Sequence, residues 1–266
     1  MSDQFQGSAL ALSSDGFDNV AGMLNVAAAE VWTVLKVETS GCGFLPDRRP
    51  QILYERHIFH RLTGGQFDDG NISDPSAGGY LGGAAEYTRL AAAIALDANA
   101  ALQSASWGIG QVLGENFKMV GYPDVQTMVD AMCASEDNQL AAVGSFIVAS
   151  NIAGALRNHD WRSFARVYNG ANFAKNQYDV KLNDAFQKFS AGPLPDILVR
   201  TAQLYLTFLG YSPHGVDGVI GRNTLNALNK FQADNGLPAS NTIDQNTVSQ
   251  IQNRLPGAQA SSAVGG

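Results

Sequence analysis

The sequence predicts a mainly α-helical protein in two parts, the first of which carries a small β or loop-rich excursion. Three observations predict this. From residue 84 onward, apolar residues recur at i, i+3 and i+4 through one segment after another. Residues 51–83 break that rhythm: QILYERHIF sets Ile, Leu, Tyr and Phe around polar side chains, and the following stretch is dense in Gly, Asp and Pro. AGPLPD, residues 191–196, places two prolines and a glycine where the composition shifts, and reads as a linker. The boundaries that follow are 1–190 for the first domain, 197–255 for the second and 256–266 for a disordered tail.

Taken in order, residues 1–16 are small and polar and are expected to fray. Phe17–Ala29 reads as a helix, broken near Gly22, that runs into a second helix ending at Glu38. Val31, Val34, Leu35 and Glu38 share one face of that helix, while Val26, Trp32 and Val37 make its other faces apolar, so it is expected to be buried nearly all round. Gly41 and Gly43 stop it. Residues 51–59 favour a strand leading into a short helix, and 63–83 a long surface loop of the functional kind. Helices are expected over 84–103, 108–120, 124–134, 136–156 and 160–167, with a final one to about Phe189. The second domain offers helices at 197–209, 222–235 and 245–255, joined by turn clusters.

Composition excludes several function classes. Hydrophobic residues make up 45 % of the chain, yet the longest apolar runs, such as 91–96, are too short to span a bilayer, so no integral membrane association is expected. The net charge of −7 argues against nucleic acid as a partner. That acidity belongs to the first domain: up to Gly192 there are 13 Lys+Arg against 20 Asp+Glu, and beyond it four of each. Cys42 and Cys133 form neither a disulfide framework nor a zinc pair. Cys42, four residues after Glu38, is weighed as a nucleophilic thiol and judged the poorer alternative to a packed one. MSDQFQGSALALSSDG has no basic residue before its short apolar patch and does not read as a secretory signal, so the chain is expected to stay in a cytoplasm until something releases it.

The chemistry begins at Glu38. A carboxylate at the C-terminal end of an apolar helix loses solvation and meets the negative end of the helix dipole, and both raise its pKa. A carboxylic acid that keeps its proton near neutral pH is what glycosidic cleavage needs as a general acid. Glu55 lies beside Arg56 and His57, which favour its ionised form, and two carboxylates pushed apart in pKa are the acid/base pattern of that reaction. The alternative is a surface pair of Glu55 with Arg48, Arg49 or Arg56. In SASWGIGQVLG, 104–114, Ser106 can cap a helix, Trp107 offers a flat face for a sugar ring, and Gln111 has a donor and an acceptor for an N-acetyl group. Tyr168 and Asn169 are held at the turn Tyr-Asn-Gly.

In this order, Glu38-Thr-Ser-Gly, Ser106-Trp-Gly-Ile-Gly-Gln111 and Tyr168-Asn-Gly resemble the signatures of the lysozyme superfamily branch that holds goose-type lysozymes and lytic transglycosylases. ILYERHIFHRLTGGQFD, GGYLGGAAEYTRLAAAIALD and WRSFARVYNGANFAKNQYDVKL are similar to the N-acetylmuramidase domain of phage endolysins, so that the resemblance covers roughly 17–190. It implies a lysozyme-like α+β catalytic domain, Glu38 as catalytic acid and Glu55 as second carboxylate. It also implies a glycan cleft between the Glu38 helix and 51–83, with Ser106, Trp107, Gln111, Tyr168 and Asn169 binding substrate. One departure is GIGQVLGENF, which lacks the bulkier residues usual there. Residues 197–252 resemble the three-helix peptidoglycan-binding module of cell-wall hydrolases, in which Asp217, Gly218 and Thr224 lie near the binding groove; as a plain turn, Asp217-Gly218 is explained equally well. The implied partner is the peptidoglycan glycan strand, bound by a monomer without cofactor or metal, with release from the host cytoplasm to the cell wall.

Three rivals stay open on sequence. A lytic transglycosylase needs one Glu and forms 1,6-anhydro products, and Glu55 speaks against it. A metal site could use His57 and His60, at i and i+3, with Glu55 beside them; His159 and His214 have no plausible spacing to it. A wall-binding or virion protein that does not cut would be expected to have lost part of the Glu38, Ser106, Gln111, Tyr168 set.

Overall fold

The structure, a computed structural model, describes residues 4–38 and 41–256. The expected disorder of the tail falls almost wholly on 257–266, outside the described residues. The chain runs α1 (Ser14–Leu24), α2 (Ala28–Glu38), β1 (Ile52–Tyr54), α3 (Arg56–Thr63), α4 (Glu86–Ile94), α5 (Ala98–Gln103), β2 (Ala105–Trp107) and β3 (Val112–Leu113). It continues with α6 (Val125–Ala134), α7 (Glu136–Ala149), α8 (Ala153–Arg157), α9 (Trp161–Tyr168) and α10 (Tyr178–Ala191), then α11 (Ile197–Phe208), α12 (Arg222–Asp234) and α13 (Gln245–Gln252). The fold is mainly α with one small antiparallel sheet, ordered β1-β2-β3, in which Ile52 faces Trp107 and Trp107 faces Val112. Among the described residues no single helix is long and apolar enough to cross a membrane.

Several elements differ from expectation for local reasons. The break between the first two helices falls at Asn25, a left-handed C-cap (φ 53°), rather than at Gly22. Residues 84–103 form two helices because Asp97 leaves the helical region and caps α5 through the Ala100 N–H. The expected helix 136–156 ends at Ala149, and Asn151 (φ 57°) turns the chain into α8. Residues 108–120 form no α-helix at all. Their start is the turn of the β2–β3 hairpin, where Gly108 (φ 70°) and Gln111 (φ 50°) are left-handed. Gly110 is hemmed in there: a Cβ would meet Val143 Cγ2 at 2.0 Å.

Of the stretch expected to fray, residues 1–3 lie outside the described residues, and 4–16 are held in place. Phe5 packs between Tyr87 and Trp107, with ring centroids 5.4 and 5.6 Å away. Leu10 N–H donates to the Ala134 carbonyl oxygen, and the Glu136 N–H donates back to Leu10. The α6–α7 junction leaves these backbone groups open because Ser135 is extended (φ −161°), so the apolar side chains at the start of the chain have a ledge to bind.

Two cores result. The larger joins α1–α10 and the sheet; the smaller packs α11, α12 and α13 around Leu204, Leu228, Phe231 and Ile251. The smaller also takes in Ala9, Ala11 and Phe44 from the first part of the chain, with Phe44 edge-on to Phe208 at 6.2 Å. The two parts are therefore packed together, beyond the AGPLPD connection.

Candidate active site

α2 is apolar all round, as read from the sequence, with Val31, Trp32, Thr33, Val34 and Leu35 all buried. It carries Glu38 to its last turn, beside α10 and the end of α9. There the Asn169 Nδ2 donates to Glu38 Oε2 (2.6 Å). Asn169 is fixed because it is the C-cap of α9, its N–H bonded to the Ala165 carbonyl oxygen, and Gly170 (φ 79°) turns the chain away behind it. Burial pushes the Glu38 carboxyl up to about 7; the Asn169 bond and the Lys181 charge pull it back only partly. Glu38 Oε1 and Asn169 Oδ1 are buried without a hydrogen-bond partner among the described residues. Tyr168 and Tyr178 both feel the Glu38 charge, which adds to burial in holding their phenols protonated.

The sheet braces this cluster. Tyr168 OH donates to the Gly110 carbonyl oxygen at the hairpin turn (3.1 Å), and Gln111 Nε2 donates to the carbonyl oxygens of Gly108 (2.8 Å) and Gln51 (3.2 Å). Gln111 thus lies in a turn, not in a helix, and its amide is spent on holding that turn to β1. Ser106 is a buried β2 residue paired with Leu53 and Leu113, so its expected part as a helix cap is corrected too. Trp107 is 0 % exposed: its ring lies in the core against Phe5, and its Nε1 donates to the Leu102 carbonyl oxygen. It has no face to offer a sugar, because the middle strand of this sheet is covered on the side where Trp107 points.

Glu55 sits just past β1, its N–H donating to the Ser104 carbonyl oxygen (2.7 Å), at the N-cap of α3. Its carboxylate accepts from Tyr80 OH at 2.9 and 3.1 Å and lies 3.3 Å from His57 Nδ1. The alternative arginine pairs do not form. Arg56 turns to Gly70, Ser76 and Asp74; Arg49 pairs with Asp47; Arg48 binds the Gly7, Ser8 and Pro256 carbonyl oxygens.

Tyr80 went unnoticed in the sequence, where an aromatic isolated in GGYLGG was the available signal. The loop that carries it is anchored from beneath. Leu81 and Gly82 N–H donate to the fully buried Glu86 (2.6 and 2.8 Å), and buried Arg89 donates to the Gly79 and Asn71 carbonyl oxygens. Burial and the Glu55 charge push the Tyr80 phenol up to about 12, so it stays a donor, and 46 % of the residue remains exposed.

Other candidates resolve readily. Burial, then the Glu136 charge, push the Cys42 thiol up, which disfavours a thiolate nucleophile. His60 pairs with Asp68, and no cluster of three metal-ligating side chains occurs among the described residues. In the second part, Gln203 binds all three predicted residues. Its Oε1 accepts from the Asp217 and Gly218 N–H, and its Nε2 donates to Asp217 Oδ1 and Thr224 Oγ1. Thr224, 3 % exposed, is a packing residue of α12 and not a contact surface.

Residues 27–190 match the family described as "N-acetylmuramidase", and residues 196–253 the one described as "Putative peptidoglycan binding domain". Among solved structures, the crystal structure of Burkholderia AP3 phage endolysin is similar at 44 % identity and a TM-score of 0.64, over 68 % of this chain and 71 % of that one. A search of the curated proteins finds no match.

Proposed function

Since the chain belongs to the N-acetylmuramidase family and ends in a peptidoglycan-binding domain, a peptidoglycan hydrolase of the endolysin kind, we propose that it cuts the β-1,4 bond after N-acetylmuramic acid with Glu38 as general acid. One observation carries this reading. Burial pushes the Glu38 carboxyl up to about 7, Asn169 orients one of its oxygens, and the other is buried without a hydrogen-bond partner among the described residues. That is a proton held ready at a defined place for the glycosidic oxygen.

Glu55 supports attack at the anomeric carbon, directly or through a water, with Tyr80 fixing its carboxylate. The half-exposed Tyr80 ring takes over the sugar-facing part that sequence gave to Trp107. Tyr168, Asn169 and Gln111 hold the acid and the hairpin in place. The peptidoglycan-binding domain raises the local concentration of the enzyme on its polymer, and the chain acts as a monomer in the host until it reaches the wall.

Digestion of purified peptidoglycan by wild type, Glu38→Gln and Glu55→Gln tests this. Reducing ends are expected from wild type, with Glu38→Gln lowering their release by 10²-fold or more, on the order of a general acid's contribution. Anhydro-muropeptides as the main product would give the reaction to a transglycosylase, and retained lysis by Glu38→Gln would remove Glu38 as the acid.

A further inference from the structure

We propose that Arg200, a residue of the peptidoglycan-binding domain, is a positioning residue for Glu38, acting through Glu136 and the loop that follows the acid. This rests on the reading of Glu38 as the acid. Arg200 reaches out of α11 into the first domain. Its Nη1 donates to Glu136 Oε2 (2.5 Å) and its Nη2 to Glu136 Oε1 (2.9 Å), in a bidentate pair that is 2 % and 0 % exposed. Nη2 also donates to the carbonyl oxygen of Gly41, three residues after Glu38 (3.1 Å).

Glu136 is in turn the anchor of everything around it. Its Oε1 accepts from the Gly43 N–H (2.8 Å) and its Oε2 from the Leu12 N–H (2.9 Å). The Gly43 carbonyl oxygen accepts from the Gln51 N–H (2.8 Å), and the Gln51 carbonyl oxygen accepts from Gln111 and Gly108 in the hairpin turn. Three residues along α7, Gln139 accepts from Ile109 in the same turn (2.8 Å). One guanidinium from the second domain thus holds the Gly41 carbonyl, through Glu136 the Gly43 N–H, and through Gln51 the turn that braces Tyr168 beside Glu38. A lone Glu136 at that place would be a buried charge with only two N–H donors, so the loop geometry depends on Arg200 arriving. Domain docking and acid placement are then one event.

The test uses the full chain. R200M, R200K and the doubly neutral R200M/E136Q are compared with wild type on a soluble, peptide-free glycan oligomer, with sedimentation on purified peptidoglycan in parallel. R200M is expected to lower kcat by about tenfold or more, as misplacement of a reacting group does, with KM and sedimentation changed by less than about twofold. Its alkaline limb should move to lower pH, because a loosened loop lets water reach the carboxylate. R200K, which keeps the charge but lacks the fork that reaches both Glu136 oxygens and Gly41, should recover part of kcat. Should R200M fail to fold, R200M/E136Q carries the same comparison with no charge left unpaired. Wild-type kcat and pH limb alongside only a lower unfolding temperature would overturn the proposal, as would a loss confined to sedimentation. The hydrolytic reading is judged separately, on wild-type products: anhydro ends would end it, while the kcat ratio of R200M to wild type would still decide the present question, since both reactions need the acid.

Discussion

Glu38 is a carboxyl whose folded pKa, about 7, stands above the ordinary carboxyl value of 4.5 because the folded chain strips it of water. Two outcomes follow. As the acid must be protonated, kcat/KM should fall as pH rises through about 7, read from a pH–rate profile on soluble glycan. The same group binds its proton more tightly folded than unfolded. Its contribution to stability is therefore whole below about 4.5 and lost as pH rises through about 7. Glu38→Gln has no such proton to lose, so its melting temperature relative to wild type should rise across that window. Asn169→Ala should move the alkaline limb the other way, upward, because the lost donor favoured the carboxylate. It should also lower kcat about tenfold or more, since the Asn169 amide is what aims Oε2 among the described residues. The raised Glu38 carboxyl was legible in sequence because its environment is local: an apolar helix that ends there. Trp107 misled because burial on a strand is decided by what packs on the sheet from elsewhere, here Phe5, a hundred residues earlier.

The elements show where that locality ends. Three helix starts with a side-chain cap read well, Asp124 before α6, Ser135 before α7 and Asp160 before α9 each accepting an N–H of the first turn, whereas Asp97, which caps α5 in the same way, was passed over. The β2–β3 hairpin did not, because apolar residues at helical spacing over 108–120 conceal a turn whose partner strand lies fifty residues upstream. Gly108 and Gly110 within SWGIG were the available signal. Likewise the 63–83 loop looked like unsupported surface, while its support is the Glu86–Arg89 pair on the next helix, 0 % and 2 % exposed. Arg89→Met should leave the buried Glu86 without its cation at a cost of about 3–5 kcal/mol in unfolding free energy. The variant should also free Tyr80 from Glu55, so that activity falls further than Tyr80→Phe alone brings about. Denaturant unfolding with a glycan assay checks both.

At the scale of the whole molecule, sequence suggested two independent domains, so that removing residues 194–266 should weaken wall binding more than it harms turnover of soluble glycan. The packing argues otherwise. Truncation strips Ala9, Ala11 and Phe44 of the side chains that cover them. It also takes Arg200 from Glu136, whose carboxyl burial would otherwise push up and which that guanidinium, with the Gly43 and Leu12 N–H groups, holds below the usual carboxylate range. A buried carboxylate without its cation costs about 3–5 kcal/mol, and exposure of apolar surface adds to it. The truncated chain should therefore melt well below the full one and lose activity on soluble glycan as well as on the wall. Placing Gln at 136 in the truncated chain should restore part of the melting temperature, because a neutral amide needs no counter-charge and keeps an acceptor for the Gly43 N–H. Equal melting temperatures for the full and truncated chains would show that the Arg200–Glu136 contact carries no weight. A rescue by E136Q would locate the coupling at that contact rather than in the apolar seam around Phe44.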